Sequence, residues 1–290
     1  MKSNPKFTVE IQSPLLTFLL ECFNNKSRNY VKGILKRGQV SVDGKVITNH
    51  AHTLNVRQQV EILLNQSPAA YNKHKMSLPI IHEDDDIIVI DKPAGMLSIS
   101  TDKESQNTAY RIVNDYMKSK SKSSRVFIVH RLDRETSGVM LFAKSEKIKH
   151  TLQENWSEIA IKRGYIAVVE GKVQTPQRKI TSWLKQTKAL RVYSSEKQGD
   201  GKIAITNYKT LQTRNNYSLL DISLETGRKN QIRVHMSDIG HPVAGDKKYG
   251  ATTNPLGRLG LHASVLTIKH PSTGEQIHFE STNNFASPLF

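Results

Sequence analysis

The stretch HRLDRETSG, residues 130–138, decides how the rest of this sequence is interpreted. It places five ionisable side chains in nine positions and lacks the periodicity of a surface helix. The apolar and β-branched runs on either side, residues 126–129 and 139–143, predict buried strands. The charged stretch is therefore predicted to be a connection that emerges from the edge of a hydrophobic core.

Asp133 lies between Arg131 and Arg134, and nearby positive charge favours an ionised carboxylate. A structural salt bridge would also explain such a triplet. A catalytic triad does not fit, because His130, Asp133 and Ser137 are too crowded for a relay and no G-x-S-x-G elbow is present. The residue types alone leave the role of Asp133 open.

Motifs for bound groups are missing from the sequence. It contains no Walker A loop, no H-E-x-x-H zinc motif and no G-x-G-x-x-G dinucleotide motif. His235 and His241 lack convincing carboxylate partners for a metal site. We therefore expect a chemistry that uses neither a metal nor a cofactor.

The charge balance is strongly basic, with 42 Lys and Arg against 26 Asp and Glu, a net charge of +16. Residues 1–78 carry 11 basic and 4 acidic side chains, net +7, and the other 212 residues carry 31 and 22, net +9. Such an excess indicates a polyanionic partner. The single cysteine and the absence of an apolar run of about 18 residues predict a cytoplasmic protein with no membrane segment.

The first part of the chain predicts a small module of two helices and a hairpin. The second helix, predicted over residues 27–38, carries Arg28, Lys32 and Lys36 at i, i+4 and i+8 on one face without interspersed acids, and Arg37 is a further candidate for RNA binding. Like charges at this spacing repel, and a phosphate backbone along the face would offset the repulsion. A merely solvated face is the alternative. The hairpin is predicted around the Asp43-Gly44 turn.

Residues 1–64 resemble the S-four-type RNA-binding domain in their two helices, the basic second helix and the segment RGQVSVDGK. They depart from it at VRQQVEIL, where that family usually has a Gly-Asp turn. Residues 65–78 are polar and contain proline, which predicts a linker. A second, larger domain is predicted over residues 79–290.

That second domain resembles the RluA-type family of pseudouridine synthases. The resemblance rests on HRLDRETSGVMLFAKS, KRGYIAVVEG and TGRKNQIRVHMSDIGHPVAGDKKYG, with RLGLHAS and KPAG as further matching segments. It implies an α+β fold with a large mixed, mainly antiparallel sheet and a central cleft, preceded by the small α/β-hairpin RNA-binding domain. It also implies isomerisation of uridine in RNA, in which the bond from ribose to the base nitrogen breaks and carbon 5 bonds to the ribose instead.

The resemblance implies catalytic roles for three residues. Asp133 matches the essential carboxylate, acting either as a nucleophile on the ribose or as a base on a sugar proton. Tyr165, placed at the start of a predicted strand after a helix ending near Lys162, matches the residue that stacks on the target base and takes the carbon-5 proton. Arg233, in a helix predicted over residues 228–239, matches the partner of the catalytic aspartate.

The resemblance also implies RNA contacts. Arg131 matches a residue that wedges into the RNA stack or holds the flipped nucleotide, and we assign Arg134 and Arg228 to phosphate contacts. Asn230 stands where the family usually has histidine. We expect the partner to be ribosomal RNA of the large subunit, with transfer RNA as the alternative, and we expect a monomer.

Two other functions compete with this interpretation. The chain could be an RNA-binding or ribosome-assembly factor without catalysis, although all three catalytic residues are present. It could also be a glycosidase or nucleoside hydrolase, but those enzymes normally use a pair of carboxylates. The sequence singles out one.

Overall fold

The computed structural model describes residues 4–24, 26–36, 38–63, 78–100, 107–187 and 189–290. The chain divides into two compact units, Met1–Ser77 and Leu78–Phe290. Residues 65–77 of the predicted linker lie outside the described residues. No helix in the described ranges is both long and apolar enough to cross a membrane.

The first unit combines two helices with short antiparallel strands. Its elements are β1 (Lys6–Thr8), β2 (Ser13–Pro14), α1 (Leu15–Cys22), α2 (Arg28–Lys36), β3 (Val40–Val42), β4 (Lys45–Val46), β5 (Thr53–Leu54) and β6 (Gln59–Ile62). The order β1-β6-β3-β4 forms one sheet, and β2 pairs with β5. The predicted hairpin is confirmed: Val42 pairs with Lys45 across Asp43 and Gly44, whose positive φ values of 49° and 78° suit a tight two-residue turn.

Helix α2 is amphipathic, as its sequence predicts. Val31, Ile34 and Leu35 are buried in the core of the first unit. Arg28 and Lys32 are exposed. Apolar residues three and four positions apart fall on one helical face, which leaves the basic residues to the solvent.

The second unit is built on one large sheet. Its helices are α3 (Ala109–Lys120), α4 (Glu146–Glu154), α5 (Trp156–Ile159) and α6 (Gln231–Asp238). Its strands are β7 (Ile80–Glu83), β8 (Ile87–Lys92), β9 (Phe127–Ile128), β10 (Ser137–Ala143), β11 (Ala160–Glu170), β12 (Gln177–Gln186), β13 (Val192–Ser195), β14 (Lys202–Arg214), β15 (Tyr217–Leu224), β16 (Leu261–Lys269) and β17 (Gln276–Glu280).

In the described part of the chain, eleven strands form this sheet in the order β13-β12-β14-β15-β11-β16-β10-β8-β7, with β17 beside β16 and β9 beside β10. Every pair is antiparallel except β10 with β16. The predicted mixed, mainly antiparallel sheet is confirmed.

Strand β10 reads SGVMLFA and is buried along its whole length. Helix α3 covers one face of this region through Val113 and Met117, and α4 covers the other through Ile148 and Leu152. A strand covered on both faces needs apolar residues at every position, which explains the continuous run. The charged segment, residues 130–136, is therefore joined directly to a fully buried strand.

Gly138 joins this charged segment to the core, because it pairs with Ala263 where β10 and β16 run parallel. Its φ is +114°, and a Cβ added there would lie 2.1 Å from the carbonyl oxygen of Ala263. Only glycine fits so close an approach of two backbones.

Two predicted element boundaries were wrong near the cleft. The helix predicted over residues 228–239 begins only at Gln231, because Asn230 adopts the left-handed conformation with φ 55°. The helix predicted to end near Lys162 ends at Ile159. Tyr165 consequently lies within β11, at its sixth residue, and not at the start of the strand.

Candidate active site

The second unit contains a cleft of about 940 Å³. Its walls include residues 128–134, the first half of β11 and residues 224–233. The volume lies within the usual range of small-ligand clefts. The cleft therefore lies where the charged segment meets α6 and the middle of the sheet.

The backbone on both sides of Asp133 is hydrogen-bonded to buried side chains. Leu132 is buried, its carbonyl accepts a 2.6 Å hydrogen bond from Ser98 Oγ, and its N–H donates back to the same oxygen at 3.1 Å. Lys92 Nζ donates to the carbonyl of Arg134 at 3.2 Å. Residues on both sides of Asp133 are therefore pinned to the core, while the Asp133 side chain stays 34% exposed toward the cleft.

The contacts of His130 stabilise the fold and do not serve acid–base chemistry. Its Nε2 accepts a hydrogen bond from the N–H of Leu141 at 3.1 Å, and its ring stacks on Trp156 at 5.1 Å. Burial, with a further effect from the Arg163 charge, lowers its pKa from 6.5 to about 4. A neutral imidazole is what an Nε2 acceptor requires, so His130 anchors the segment to β10.

A hydrogen-bonded group of polar residues, Ser137, Arg258 and His262, lies at the end of the charged segment. Arg258 Nη2 donates to Ser137 Oγ at 2.6 Å, and Ser137 Oγ lies 2.7 Å from Nδ1 of His262. Arg258 also stacks over the ring of Phe285. These contacts explain why RLGLHAS, where Arg258 and His262 lie, accompanies the charged segment in the sequence.

Asp133 faces Arg233, as the resemblance predicts. Arg233 Nη1 lies 3.5 Å from Asp133 Oδ2, and the guanidinium is only 13% exposed. The shorter contacts of Arg233 go elsewhere: Nε and Nη2 donate to the two carboxylate oxygens of Asp246 at 2.6 and 2.7 Å. Arg233 therefore bridges a buried carboxylate and a partly exposed one.

Asp246 determines the position of this guanidinium. Its side chain is 1% exposed, and two-pronged arginine–carboxylate contacts fix both distance and plane. Burial alone would lower the pKa of Arg233, but the hydrogen bonds and charge of Asp246, and then the charge of Asp133, raise it overall. Arg233 presents a permanent positive charge to Asp133.

Asn230, the departure from the family pattern, belongs to the same group. Its Oδ1 accepts from Arg233 Nη1 at 3.3 Å, and its Nδ2 donates to Tyr249 Oη at 2.9 Å. The Tyr249 ring lies under the guanidinium at 5.0 Å. Asparagine tolerates the left-handed backbone found here, so one residue provides both the turn and the contact.

Tyr165 lines the same cleft from β11. Burial raises its pKa to about 12; the Arg163 charge opposes this shift and the Asp133 charge adds to it. The phenol is therefore protonated at neutral pH. Its ring can provide a flat stacking surface in the cleft that Asp133 also lines.

Arg163, two residues before Tyr165, is a part of the site that the sequence analysis did not single out. Its Nη2 donates to the carbonyls of Leu224 and Glu225 at 3.1 and 2.6 Å. Its buried Nε has no partner among the described residues. Arg163 thus joins β11 to the loop after β15 and closes one wall of the cleft.

The predicted RNA-contacting residues fall into two groups. Arg131, Arg134 and Arg228 are exposed and line the cleft. Arg28 and Lys32 are exposed in the first unit. Lys36 ends α2 without a described side chain, and Arg37 lies outside the described residues.

Asp246 and Lys92 were also missed as site residues. Both lie in segments quoted for the family resemblance, GDKKYG and KPAG, but neither carries a visible charge partner in the sequence. A buried charge needs a partner, so a charged residue within an otherwise apolar or turn-forming motif is the available signal. Asp246 contacts Arg233, 13 positions away, and Lys92 contacts Arg134, 42 positions away, besides two nearby carbonyls.

Lys92 is fully buried, and its Nζ donates to three backbone carbonyls, those of Pro93, Met96 and Arg134. Burial lowers its pKa from 10.5 to about 8. Between these values the unfolded chain holds a proton that the folded protein has released, so Lys92 adds stability as pH rises. We expect the unfolding free energy of the wild type, relative to Lys92→Met, to grow by about 1 kcal/mol per pH unit from pH 8 to 10 in urea titrations. A constant difference across this window would contradict the assigned shift.

Comparisons with known proteins match the sequence and the fold of this chain. A sequence model of the family described as RNA pseudouridylate synthase matches residues 86–238. The chain is 34% identical over 273 residues to "Uncharacterized RNA pseudouridine synthase YlyB" of Bacillus subtilis, covering 91% of this chain and 88% of that protein. It is 31% identical over 303 residues to "Ribosomal large subunit pseudouridine synthase D" of Haemophilus ducreyi, covering 96% and 91%. The solved structure "Human RNA Pseudouridylate Synthase Domain Containing 4" shares the fold, with a TM-score of 0.59 at 23% identity over 71% of this chain and 89% of that one.

Proposed function

This chain belongs to the RNA pseudouridylate synthase family, as its RluA-type resemblance predicts, and we propose that it isomerises specific uridines of large-subunit ribosomal RNA with Asp133 as the essential carboxylate. The observation that carries the proposal is the Asp133 carboxylate held beside Arg233 at the wall of a nucleotide-sized cleft. An isomerase of this type rearranges its substrate and adds or removes no atoms overall.

The reaction requires three changes on the nucleotide. The bond between ribose carbon 1 and base nitrogen 1 breaks, the uracil turns, and carbon 5 bonds to the ribose and then loses its proton, while the freed nitrogen 1 gains one. Asp133 can serve the first step either as a nucleophile on the ribose or as a base on a sugar proton. Both routes need an ionised carboxylate, and the Arg233 guanidinium lies 3.5 Å from it.

The target uridine must leave its stack to enter the cleft, at a cost of a few kcal/mol. Exposed arginines at the mouth are suited to offset that cost through phosphate contacts. We assign the phosphate contacts to Arg134 and Arg228. We propose that Arg131 wedges into the RNA stack where the base has left it or holds the flipped nucleotide. All three side chains line the cleft.

Tyr165 is placed to stack on the flipped uracil and to take the carbon-5 proton. Because its pKa is raised to about 12, its hydroxyl is protonated at rest, so it can take the carbon-5 proton only while releasing its own proton to the solvent that enters the cleft. Tyr165→Phe is expected to keep RNA affinity within a few-fold and to slow tritium release from carbon-5-labelled RNA about 100-fold. Tyr208→Phe, which changes a buried tyrosine on the same face of the sheet, is the matched control. Normal release by Tyr165→Phe would assign proton removal to another group.

The substrate assignment follows the relative named for the large ribosomal subunit, and transfer RNA is the other candidate. The test is tritium release from cellular RNA labelled at uracil carbon 5, separated into ribosomal, transfer and immature ribosomal fractions. Release from large-subunit RNA is the expected result, and release from transfer RNA alone would replace the substrate. Absence of release from every fraction would favour an RNA-binding factor without catalysis.

The first unit fits an RNA anchor of the S-four type, with Arg28 and Lys32 on the exposed face of α2 as phosphate-binding residues. We include Lys36 and Arg37 among these phosphate-binding residues on sequence grounds. Two RNA contacts on one chain raise affinity through effective concentration. We further propose that the enzyme acts in the cytoplasm as a monomer.

A further inference from the structure

Positive charge in the second unit is concentrated in one segment. Residues 177–214, which form β12 to β14, contain nine Lys and Arg and two acids, net +7. All of residues 79–290 carry only 31 basic and 22 acidic side chains, net +9. The rest of the second unit, which includes the cleft, is therefore nearly neutral (+9 minus +7 gives +2).

The two faces of these strands differ. One face is buried, with Leu184 and Ala204 packed near Val234 of α6. The other face carries three large side chains in register, which we call the outer patch: Trp183, Tyr193 and Ile203. Trp183 pairs with Ile203, and Tyr193 pairs with Lys185, the residue two positions after Trp183.

The outer patch is open to solvent. Tyr193 is 43% exposed and Ile203 is 40% exposed, while Trp183 is partly exposed. Aromatic and branched apolar side chains rarely lie together on the solvent side of a sheet unless a partner covers them. We therefore expect a binding partner to cover the outer patch.

Charges around the patch indicate an anionic partner. Lys185 pairs with Asp200 at 2.5 Å and Lys179 pairs with Glu225 at 2.8 Å, so these two lysines are neutralised locally. Lys197 and Lys202 are exposed, and within the described ranges no carboxylate pairs with either. The segment thus keeps an uncompensated positive charge beside exposed rings, and that charge would repel a second copy of itself.

The outer patch is continuous with the cleft. Arg228, which lines the cleft, donates from Nε to the carbonyl of Ile203 at 2.9 Å. Glu225, another cleft residue, holds Lys179 of β12. A chain leaving the cleft past Arg228 would reach the start of β14 and the outer patch next to it.

We propose that the outer patch binds unpaired nucleotides of the substrate RNA beside the target uridine, with bases stacked on Tyr193 and Trp183 and phosphates near Lys197 and Lys202. Exposed aromatic side chains on a sheet, bordered by basic residues, are the usual platform for single-stranded nucleic acid. The proposal rests on the proposed function, because it takes the substrate to be RNA.

The test in turnover uses Tyr193→Ser combined with Ile203→Glu, which removes one ring and places a negative charge on the patch. Tritium release should show KM raised about ten-fold or more, with kcat within about two-fold of the wild type. Leu211→Glu is the matched control: it also puts a carboxylate at an exposed apolar position of β14, about 26 Å farther along the strand. An unchanged KM in the double variant, or an equal rise in the control, overturns the proposal.

A binding measurement separates failure of the patch from failure of the proposed function. The chain has two tryptophans, Trp156 and Trp183, so Trp156→Phe leaves Trp183 as the only fluorescent indole. An unpaired ribo-oligonucleotide should quench it, and the same strand in a duplex should quench it far less. If no RNA supports turnover but quenching occurs, the proposed function fails and the patch stands. Quenching that follows protein concentration, with a doubled mass in light scattering, would make a second copy the occupant instead.

Discussion

Replacing Asp133 by asparagine is expected to reduce tritium release from carbon-5-labelled RNA by about 1,000-fold or more. The amide keeps the size of the side chain but can neither attack a ribose carbon nor take a sugar proton. Because Asp133 is 34% exposed and contacts Arg233 at 3.5 Å, stability should change little. RNA affinity should stay within a few-fold of the wild type, since the phosphate contacts are untouched.

The matched control for this variant is Glu135→Gln, which neutralises an exposed carboxylate two positions away in the same segment. It changes the net charge by the same amount and should retain turnover. Turnover by Asp133→Asn near the wild-type rate would remove Asp133 from the catalytic role. Equal losses in both variants would point to the charge of the segment and not to one carboxylate.

Replacing Arg233 by methionine should cost both activity and stability. The variant leaves Asp246, whose side chain is 1% exposed, as a buried carboxylate without its two hydrogen bonds. Removing one partner of a buried pair typically destabilises a protein by about 3–5 kcal/mol. The unfolding free energy of Arg233→Met in urea should fall by that amount, and tritium release should fall about 100-fold or more because Asp133 loses its guanidinium.

A double variant separates these two effects. Replacing the buried pair together, Arg233→Met with Asp246→Val, removes both charges and should recover most of the lost stability. Activity should remain low, because no cation then faces Asp133. If the double variant regained turnover together with stability, Arg233 would serve the fold alone. If Arg233→Met unfolded no more easily than the wild type, the assigned role of Asp246 would be wrong.

Arg233 contacts two carboxylates in the site and not one. The family resemblance pairs Arg233 with Asp133 alone, but its shorter contacts are with Asp246. One buried carboxylate thus positions the guanidinium and leaves its remaining edge for the carboxylate at the cleft. Such an arrangement keeps Asp133 available to a substrate, since only one 3.5 Å contact holds it.

The amino-acid sequence by itself determined the buried strand after the charged segment, the basic helix α2, the Asp43-Gly44 hairpin and the family motif at residues 130–138. Continuous apolar runs such as that of β10 predict buried strands because neighbours up to four residues apart carry the signal. The glycine of the Asp43-Gly44 turn and the family motifs around Asp133, Tyr165 and Arg233 are likewise local patterns. For these features the physical cause lies within a few residues of the effect.

Only the tertiary structure decided which distant residues meet. Asp246 lies 13 positions from Arg233 in the sequence, and Arg233 lies 100 positions from Asp133. No local periodicity predicts contacts between residues that far apart. The positive φ of Asn230 shortened α6, and the outer patch exists only because the register of β12 to β14 aligns its side chains. Partners of buried charges depend on how the sheet closes around them, so the sequence names the charged residues and the fold alone selects their pairs.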